Sequence, residues 1–282
     1  MRAVLIPASL EELFTAWQDY PDALPMAGGT DLLVRLRNTD GCDARPLLLL
    51  SRIQELGSIT QENSQIRIGA AVTFSRIICD AAIRAHTPIL ADAARQVGGP
   101  AIRNMASIGG NICTASPAGD TLPPLYLLEA ELELLSPAGT RRLPIADFIL
   151  GPGKTVLRPR ELLSCVIIPT GQHFAVSRFE KVGRRKSLAI SVASLSSLIN
   201  LSPDGTIREA RLAWGSVGPT IVRLNSLEQQ LQGQQPGALD LRQISEQVRY
   251  SLAPIDDIRA TAAYRRSVSA NLLLRLLESL HG

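Results

Sequence analysis

The chain has 282 residues, 45% hydrophobic and 20% charged, enough for a full core and for division into two or three small domains. Its 29 basic and 26 acidic residues leave a net charge of +3, too slight to imply a nucleic-acid partner, and an aromatic content of 4% offers few stacking platforms. No apolar run approaches the roughly 20 residues of a membrane helix. Pro7 stops the opening apolar residues before a secretory core of about 7–15 residues can form, so a cytoplasmic protein is expected.

After Val4-Leu5-Ile6, Ser9 and Glu12 have the spacing of a capping box, and Leu10, Leu13, Phe14 and Trp17 recur at helical spacing. The pattern predicts strand, helix, and a short strand running into a glycine segment, Ala27-Gly28-Gly29-Thr30-Asp31. Residues 32 to 37 read as a further helical turn and Leu47 to Leu50 as a buried strand, closing a first α/β unit, 1–56, near Leu56. The second unit, 57–170, begins with a strand at Ile66 to Ala70. Thr73 then caps a helix whose apolar side includes Phe74, Ile77, Ile78 and Ala82, and another helix spans Thr87 to Val97. From Gly98 to Asp120 the chain is loop-like and weakly charged, with Arg103 its one cation and a second glycine pair, Ser107-Ile108-Gly109-Gly110-Asn111, at its centre. The apolar segment Leu122 to Ala130, an alternating strand from Glu131 to Leu135, a turn at Pro137 to Thr140 and a strand from Leu162 to Ile168 complete this unit.

The remainder, 171–282, reads as a separate α+β domain. Strands at Ser191 to Leu201 and Ile207 to Trp214 flank Ser202-Pro203-Asp204-Gly205 as a hairpin. Ser226 and Asp240 are expected to cap helices, and Tyr264 to Leu280 carries a leucine-rich face suited to core or interface.

The two glycine segments carry the functional signal. A glycine pair lacks the Cβ that limits φ and blocks close approach, so its amides can turn toward an anion, while adjacent Thr, Ser or Asn adds donors. Either pair alone reads first as a turn between two elements. The second lies in a stretch long enough to be functional, since loops beyond about a dozen residues are uncommon in compact domains. Familiar nucleotide motifs fail. Gly151-Pro152-Gly153 has Val156 where a Rossmann fingerprint needs its third glycine, and Gly153-Lys154-Thr155 has Phe148 where a P-loop needs its first. The cluster from Lys181 to Lys186 reads as a solvated turn or as a face toward an anionic cofactor. Cys42, Cys79, Cys113 and Cys165 are widely separated, and His86, His173 and His281 stand at no ligand spacing, so no metal site is expected.

Ala-Gly-Gly-Thr-Asp at 27–31, Ile-Arg-Asn-x-Ala-Ser-Ile-Gly-Gly-Asn-Ile at 102–112 and Ala-Ser-Pro-Ala-Gly-Asp at 115–120 together resemble the FAD-binding (medium) subunit of molybdenum hydroxylases of the xanthine dehydrogenase and carbon monoxide dehydrogenase type. The resemblance extends through Gly151 to Thr155, Arg160 to Leu163, Phe179 to Arg185 and Pro254 to Arg259, nearly the whole chain. It implies an α+β fold, with a two-lobed FAD-binding domain of the vanillyl-alcohol-oxidase/MurB type followed by a C-terminal α+β domain. It also implies that Pro25, Met26, Ala27, Gly28, Gly29, Thr30, Asp31 and Leu32, with Ser107, Ile108, Gly109, Gly110 and Asn111, wrap the pyrophosphate and ribityl chain. Asp120 would accept hydrogen bonds from the cofactor, Leu162 would pack by the adenine or flavin, and Phe179 and Lys181 would lie near the ring. By its own sequence Asp120 also reads as the N-cap of a following helix.

The resemblance further implies non-covalent FAD, because Cys113 lies too far along the cofactor to meet the ring. The short span between the second glycine segment and Arg160 leaves no room for the cysteine-rich insertion of the benzoyl-CoA-reductase branch. Molybdopterin and [2Fe–2S] clusters are expected only on large and small partner subunits, in a heterotrimer repeated twice, with electrons passing through FAD to NAD+ or another acceptor. No residue of this chain is expected to act as a nucleophile or general base. A self-contained FAD-dependent oxidase or dehydrogenase of the same fold, and a cofactor-free assembly subunit, are the competing expectations.

Overall fold

The computed structural model describes residues 2–38, 43–185 and 188–280. In the first lobe β1 (Val4–Leu5), α1 (Leu10–Asp19), β2 (Leu24–Met26), α2 (Leu32–Asn38) and β3 (Leu47–Leu49) build a parallel sheet in the order β1-β3-β2. Ser9 Oγ accepts from the Glu12 amide at 3.1 Å and Glu12 Oε2 from the Ala8 amide at 2.7 Å, fixing the start of α1. That helix buries Leu13 and Trp17 in a small core with Leu48, Leu50, Ile53 and Leu56.

The second lobe runs β4 (Ile59–Glu62), β5 (Gln65–Gly69), α3 (Phe74–Cys79), α4 (Ala81–His86), α5 (Pro88–Gln96), α6 (Pro100–Arg103), α7 (Ile108–Thr114) and α8 (Leu122–Leu127). Then follow β6 (Glu131–Ser136), β7 (Gly139–Pro144), α9 (Ile145–Phe148), the small hairpin β8 (Ile149–Gly151) and β9 (Lys154–Thr155), and β10 (Leu162–Pro169). Its antiparallel sheet has the order β4-β5-β10-β6-β7. The helix expected after Thr73 is two. Asp80 ends α3 and its side chain accepts from the Ile83 amide at 3.0 Å to start α4, a local cap that outweighs continuing the apolar pattern. The stretch from Gly98 to Asp120, read as loop-like, holds two helices: α6, which starts on Pro100, and α7, which Ser107 caps.

The last domain comprises β11 (Val176–Gly183), β12 (Ser191–Leu201), β13 (Ile207–Gly215), β14 (Val222–Arg223), α10 (Asn225–Leu231), α11 (Leu241–Ser251) and α12 (Ala262–Glu278), its antiparallel strands pairing in chain order. Asp240 caps α11, accepting from the Gln243 amide at 3.0 Å. Ser226 lies inside α10 and caps nothing; Leu224 holds the cap position without a side-chain bond.

Alternation along these strands explains how the domains meet. Ala193, Leu195, Ile199, Leu212 and Trp214 join α10, α11 and α12 in one core, whereas Phe179, Leu198 and Ala213 face the other way into the core of the second lobe. Buried on both faces, β12 is covered along almost its whole length. The leucine-rich face of α12 is core: Leu272, Leu273, Leu276 and Leu277 are all buried.

Candidate functional site

Residues 27–31 leave the carboxyl end of β2 and turn directly into α2, so the first glycine segment is a strand-to-helix loop. It lies against the second lobe with no room to spare. A Cβ on Gly28 would stand 1.7 Å from the Met105 carbonyl oxygen and 3.0 Å from the Ala106 amide nitrogen, so only glycine permits this backbone approach. The loop and α7 both line a cleft of about 460 Å³, to which Ser116, Ala118 to Asp120, Leu188 to Ile190 and Arg259 also contribute.

The two glycine pairs do different jobs. Among the described residues, the amides of Gly28, Gly29, Thr30 and Asp31 donate to no acceptor of the chain. Around α7 the amides are already committed. Ile108 N donates to Val72 O at 3.0 Å, Gly109 N to Ala70 O at 2.9 Å, Gly110 N to Ser107 Oγ at 3.1 Å and Asn111 N to Ser107 O at 3.0 Å. A Cβ on Gly109 would come within 2.5 Å of the Ala70 Cβ, so this glycine lets α7 sit flush on the end of β5. Gly110 is different: apart from Ser107 Oγ at 3.1 Å, a Cβ there would meet open space.

Of the sequence-predicted residues, Pro25 through Leu32, Ser107, Gly110, Asn111 and Asp120 line the cleft. Ile108 and Gly109 are not among the lining residues; they are buried at the start of α7. Leu162 is not brought there; it pairs with Leu135 across β10 and β6 and packs with the small core of the first lobe. Phe179 is likewise taken into the core of the second lobe, because its face of β11 is the one that covers that lobe. The structure adds Arg35, Cys113, Leu188, Ala189, Ile190 and Arg259 to the cleft. Arg35 was findable, lying four residues after Asp31 on a helix and pairing with it at 2.8 Å. Arg259 lies in a segment that carries the resemblance, Pro254 to Arg259, but its place at the cleft is set by the fold, which brings it to the same cavity as Leu188, Ala189 and Ile190.

Polar contacts tie the walls together. Thr114 Oγ1 donates to Asp31 Oδ2 at 3.2 Å across the cleft mouth, and Thr121 Oγ1 donates to Asn111 Oδ1 at 2.7 Å, leaving Asn111 Nδ2 as a donor. Asp120 is not the N-cap of α8, a position held by Thr121. Its Oδ2 instead accepts from Lys181 Nζ at 2.6 Å, and the same ammonium donates to Gln96 O at 3.0 Å. Both side chains are more than nine-tenths buried. Lys181 thus lies in no solvated turn, and it is not among the residues that line the cleft, which it meets only through Asp120. Arg184 and Arg185 bind the Ile258 and Leu188 carbonyls, and Lys186 lies outside the described residues.

Asp120 Oδ1 is buried and has no hydrogen-bond partner among the described residues. Burial pushes the Asp120 carboxyl up to about 6, against the opposing pull of the Lys181 ammonium. Burial likewise pushes the Cys113 thiol up to about 12, which keeps it protonated and unreactive at neutral pH. Among the described residues no group of three or more His, Cys, Asp and Glu side chains gathers as a metal site.

The donor set fits an extended dinucleotide. Free backbone amides on 28–31 suit a phosphate, Asn111 and Asp120 suit polyol hydroxyls, and the apolar stretch Leu188 to Ile190 offers a surface for a ring. The orphaned Oδ1 is the sharpest sign, because a buried acceptor left unpaired costs about 1–3 kcal/mol unless a ligand donates to it.

Fold and cleft together define a two-domain α+β protein whose first domain is built to hold such a cofactor. Residues 1–171 match the FAD binding domain in molybdopterin dehydrogenase, and residues 178–280 match the CO dehydrogenase flavoprotein C-terminal domain. The chain is 35% identical over 261 residues to the xanthine dehydrogenase FAD-binding subunit of Escherichia coli O157:H7, covering 92% of this chain and 88% of that protein. It is also 35% identical to the nicotinate dehydrogenase FAD-subunit of Eubacterium barkeri, over 80% of this chain and 78% of that one. Carbon monoxide dehydrogenase from Hydrogenophaga pseudoflava superposes with a TM-score of 0.89 at 26% identity, covering 99% of this chain and 97% of its own. The chain belongs to the family of FAD-binding subunits of the molybdopterin-containing dehydrogenases.

Proposed function

We propose that this chain binds FAD non-covalently in the cleft and serves as the flavin subunit of a multi-subunit molybdenum hydroxylase. In this reading a larger partner carries molybdopterin and a smaller one carries [2Fe–2S] clusters; a multi-subunit enzyme is supported by relatives named as the FAD-binding subunit of a xanthine dehydrogenase and the medium chain of a carbon monoxide dehydrogenase. The carrying observation is the convergence of unpaired amides at Gly28 to Asp31 and the orphaned Asp120 Oδ1 on one cleft. When bound, FAD accepts electrons singly and releases them in pairs, which suits passage from iron–sulfur clusters to NAD+ or another acceptor. The chain's residues bind and orient. The 28–31 loop would hold the pyrophosphate, Asn111 and Asp120 would hold the polyol, and residues 188–190 would offer an apolar surface to the ring.

The test is the visible spectrum of the purified chain after FAD addition and desalting, beside Gly110→Trp, whose indole enters the open space over α7. Near-stoichiometric flavin in the wild type, lost in a variant with an unchanged far-ultraviolet spectrum, is expected. A folded wild type that retains no flavin, alone or co-expressed with the metal-bearing subunits, overturns the reading in favour of a cofactor-free assembly role.

A further inference from the structure

Asp120 and Lys181 come from different domains. Asp120 precedes α8 in the second lobe, whereas Lys181 projects from β11 of the C-terminal domain and reaches its partner across the shared core. Two acceptors, Asp120 Oδ2 and Gln96 O at the end of α5, hold the ammonium in place, so the carboxylate is both charged and oriented by a group its own domain does not supply. The other carboxylate oxygen is buried and has no hydrogen-bond partner among the described residues, in a residue that lines the cleft. The remaining ionisable groups of the cleft are Asp31 and Arg35 on the first lobe, Cys113 on α7 and Arg259 from the 253–260 segment. None of them hydrogen-bonds Asp120, and Lys181 is its one ionic partner among the described residues.

From this arrangement, and resting on the reading that the cleft takes FAD, we infer that Lys181 is a positioning residue that keeps Asp120 ionised as an acceptor for a hydroxyl or N–H of the cofactor, so that cofactor binding and docking of the C-terminal domain are one coupled equilibrium. A carboxylate in this pocket without its cation takes up a proton and offers the wrong partner to a donor. Removing an opposite charge at this distance moves a carboxyl midpoint upward by about 1–3 pH units. Cofactor that uses the ionised form therefore rebinds only at higher pH.

The experiment is FAD titration of the full chain by flavin fluorescence between pH 5 and 9, for wild type, Lys181→Met, Lys181→Arg and Asp120→Asn. Wild-type affinity should fall as pH drops through the Asp120 midpoint. Lys181→Met should lose roughly tenfold at pH 7 and regain most of it by pH 9, because its midpoint has moved up. Lys181→Arg should keep the wild-type midpoint, and Asp120→Asn should show no step at all. Hydrogen exchange should slow in β11 on FAD addition in wild type but not in Lys181→Met. Should Lys181→Met fail to fold, Asp120→Asn carries the test, since persistence of the wild-type step in that variant overturns the inference. So does a Lys181→Met profile that superposes on wild type. A wild type that binds no FAD at any pH instead removes the functional reading beneath it.

Discussion

The tight contact at Gly28 allows a prediction of definite size. In Gly28→Ala the new methyl starts 1.7 Å from the Met105 carbonyl oxygen and 2.3 Å from its carbon, and both obstacles are backbone, so no rotamer change relieves them. To pass beyond 3.0 Å the loop and the 105–106 segment must part by more than 1 Å. That segment is pinned by Ala106 N to Ile102 O at 2.7 Å and Phe74 N to Ala106 O at 3.1 Å, and the strand before the loop by Leu50 N to Met26 O at 3.0 Å. Overpacking of this kind costs about 1–3 kcal/mol, and loss of one such hydrogen bond adds about 0.5–1.5 kcal/mol. A destabilisation of about 2–4 kcal/mol is expected, or roughly 5–15 °C in Tm for a domain of this size. The assay is calorimetric melting beside Gly151→Ala, where a Cβ meets nothing within 4 Å and the backbone is not left-handed. The added methyl should also weaken FAD retention, because the wall between the loop and α7 has opened. Gly28→Ala melting with Gly151→Ala would falsify the close-approach argument.

Two further outcomes follow from the charged and thiol groups. Although burial opposes the shift, hydrogen bonds from the Arg259 and Ala260 amides and the Arg265 guanidinium hold the Asp257 carboxyl down at about 2. A depressed carboxyl stabilises the fold above its unfolded pKa of about 4 and loses that contribution as pH falls toward 2. Asp257→Asn should therefore be less stable than wild type at pH 7, with the gap closing between pH 4 and 2 in urea melts; a constant gap contradicts it. Exposed Cys79 should react with a thiol reagent at pH 8 well before Cys113, and FAD should slow Cys113 further while leaving Cys79 unchanged, as mass mapping of labelled peptides will show. Equal rates at both thiols, or no protection of Cys113, goes against the cleft assignment.

Much of the local structure was legible because short-range chemistry decides it. Ser9 with Glu12 marked the start of α1, Asp240 that of α11, and Ser202 to Gly205 the β12–β13 hairpin. The α+β class with two domains was equally readable, from the change in pattern near Gly171. Local rules failed where two were in conflict. Asp80 is as good a cap as Thr73, so one apolar face became two helices, and Ser226 fell inside α10 because that helix begins two residues before the start a Ser226 cap would give it. At the cleft, the resemblance named residues from several segments as one binding set, and the structure divides it. Pro25 to Leu32 face the cavity, but Gly109 serves helix packing, and Leu162 and Phe179 serve cores.

By itself, then, the sequence determined where helices and strands begin, that glycines must stand beside an apolar strand end, and which family the pattern resembles. Each depends on contacts within a few residues or on a motif read directly. Only the tertiary structure decided which glycine amides stay free, because the acceptors that consume those of Ile108 and Gly109, at Val72 and Ala70, lie more than thirty positions earlier in the chain. It alone brought Lys181 to Asp120 across 61 positions, since which face of β11 turns toward the second lobe is settled by how two domains share a core. A buried charge pair is a long-range fact, and no local propensity encodes its partner.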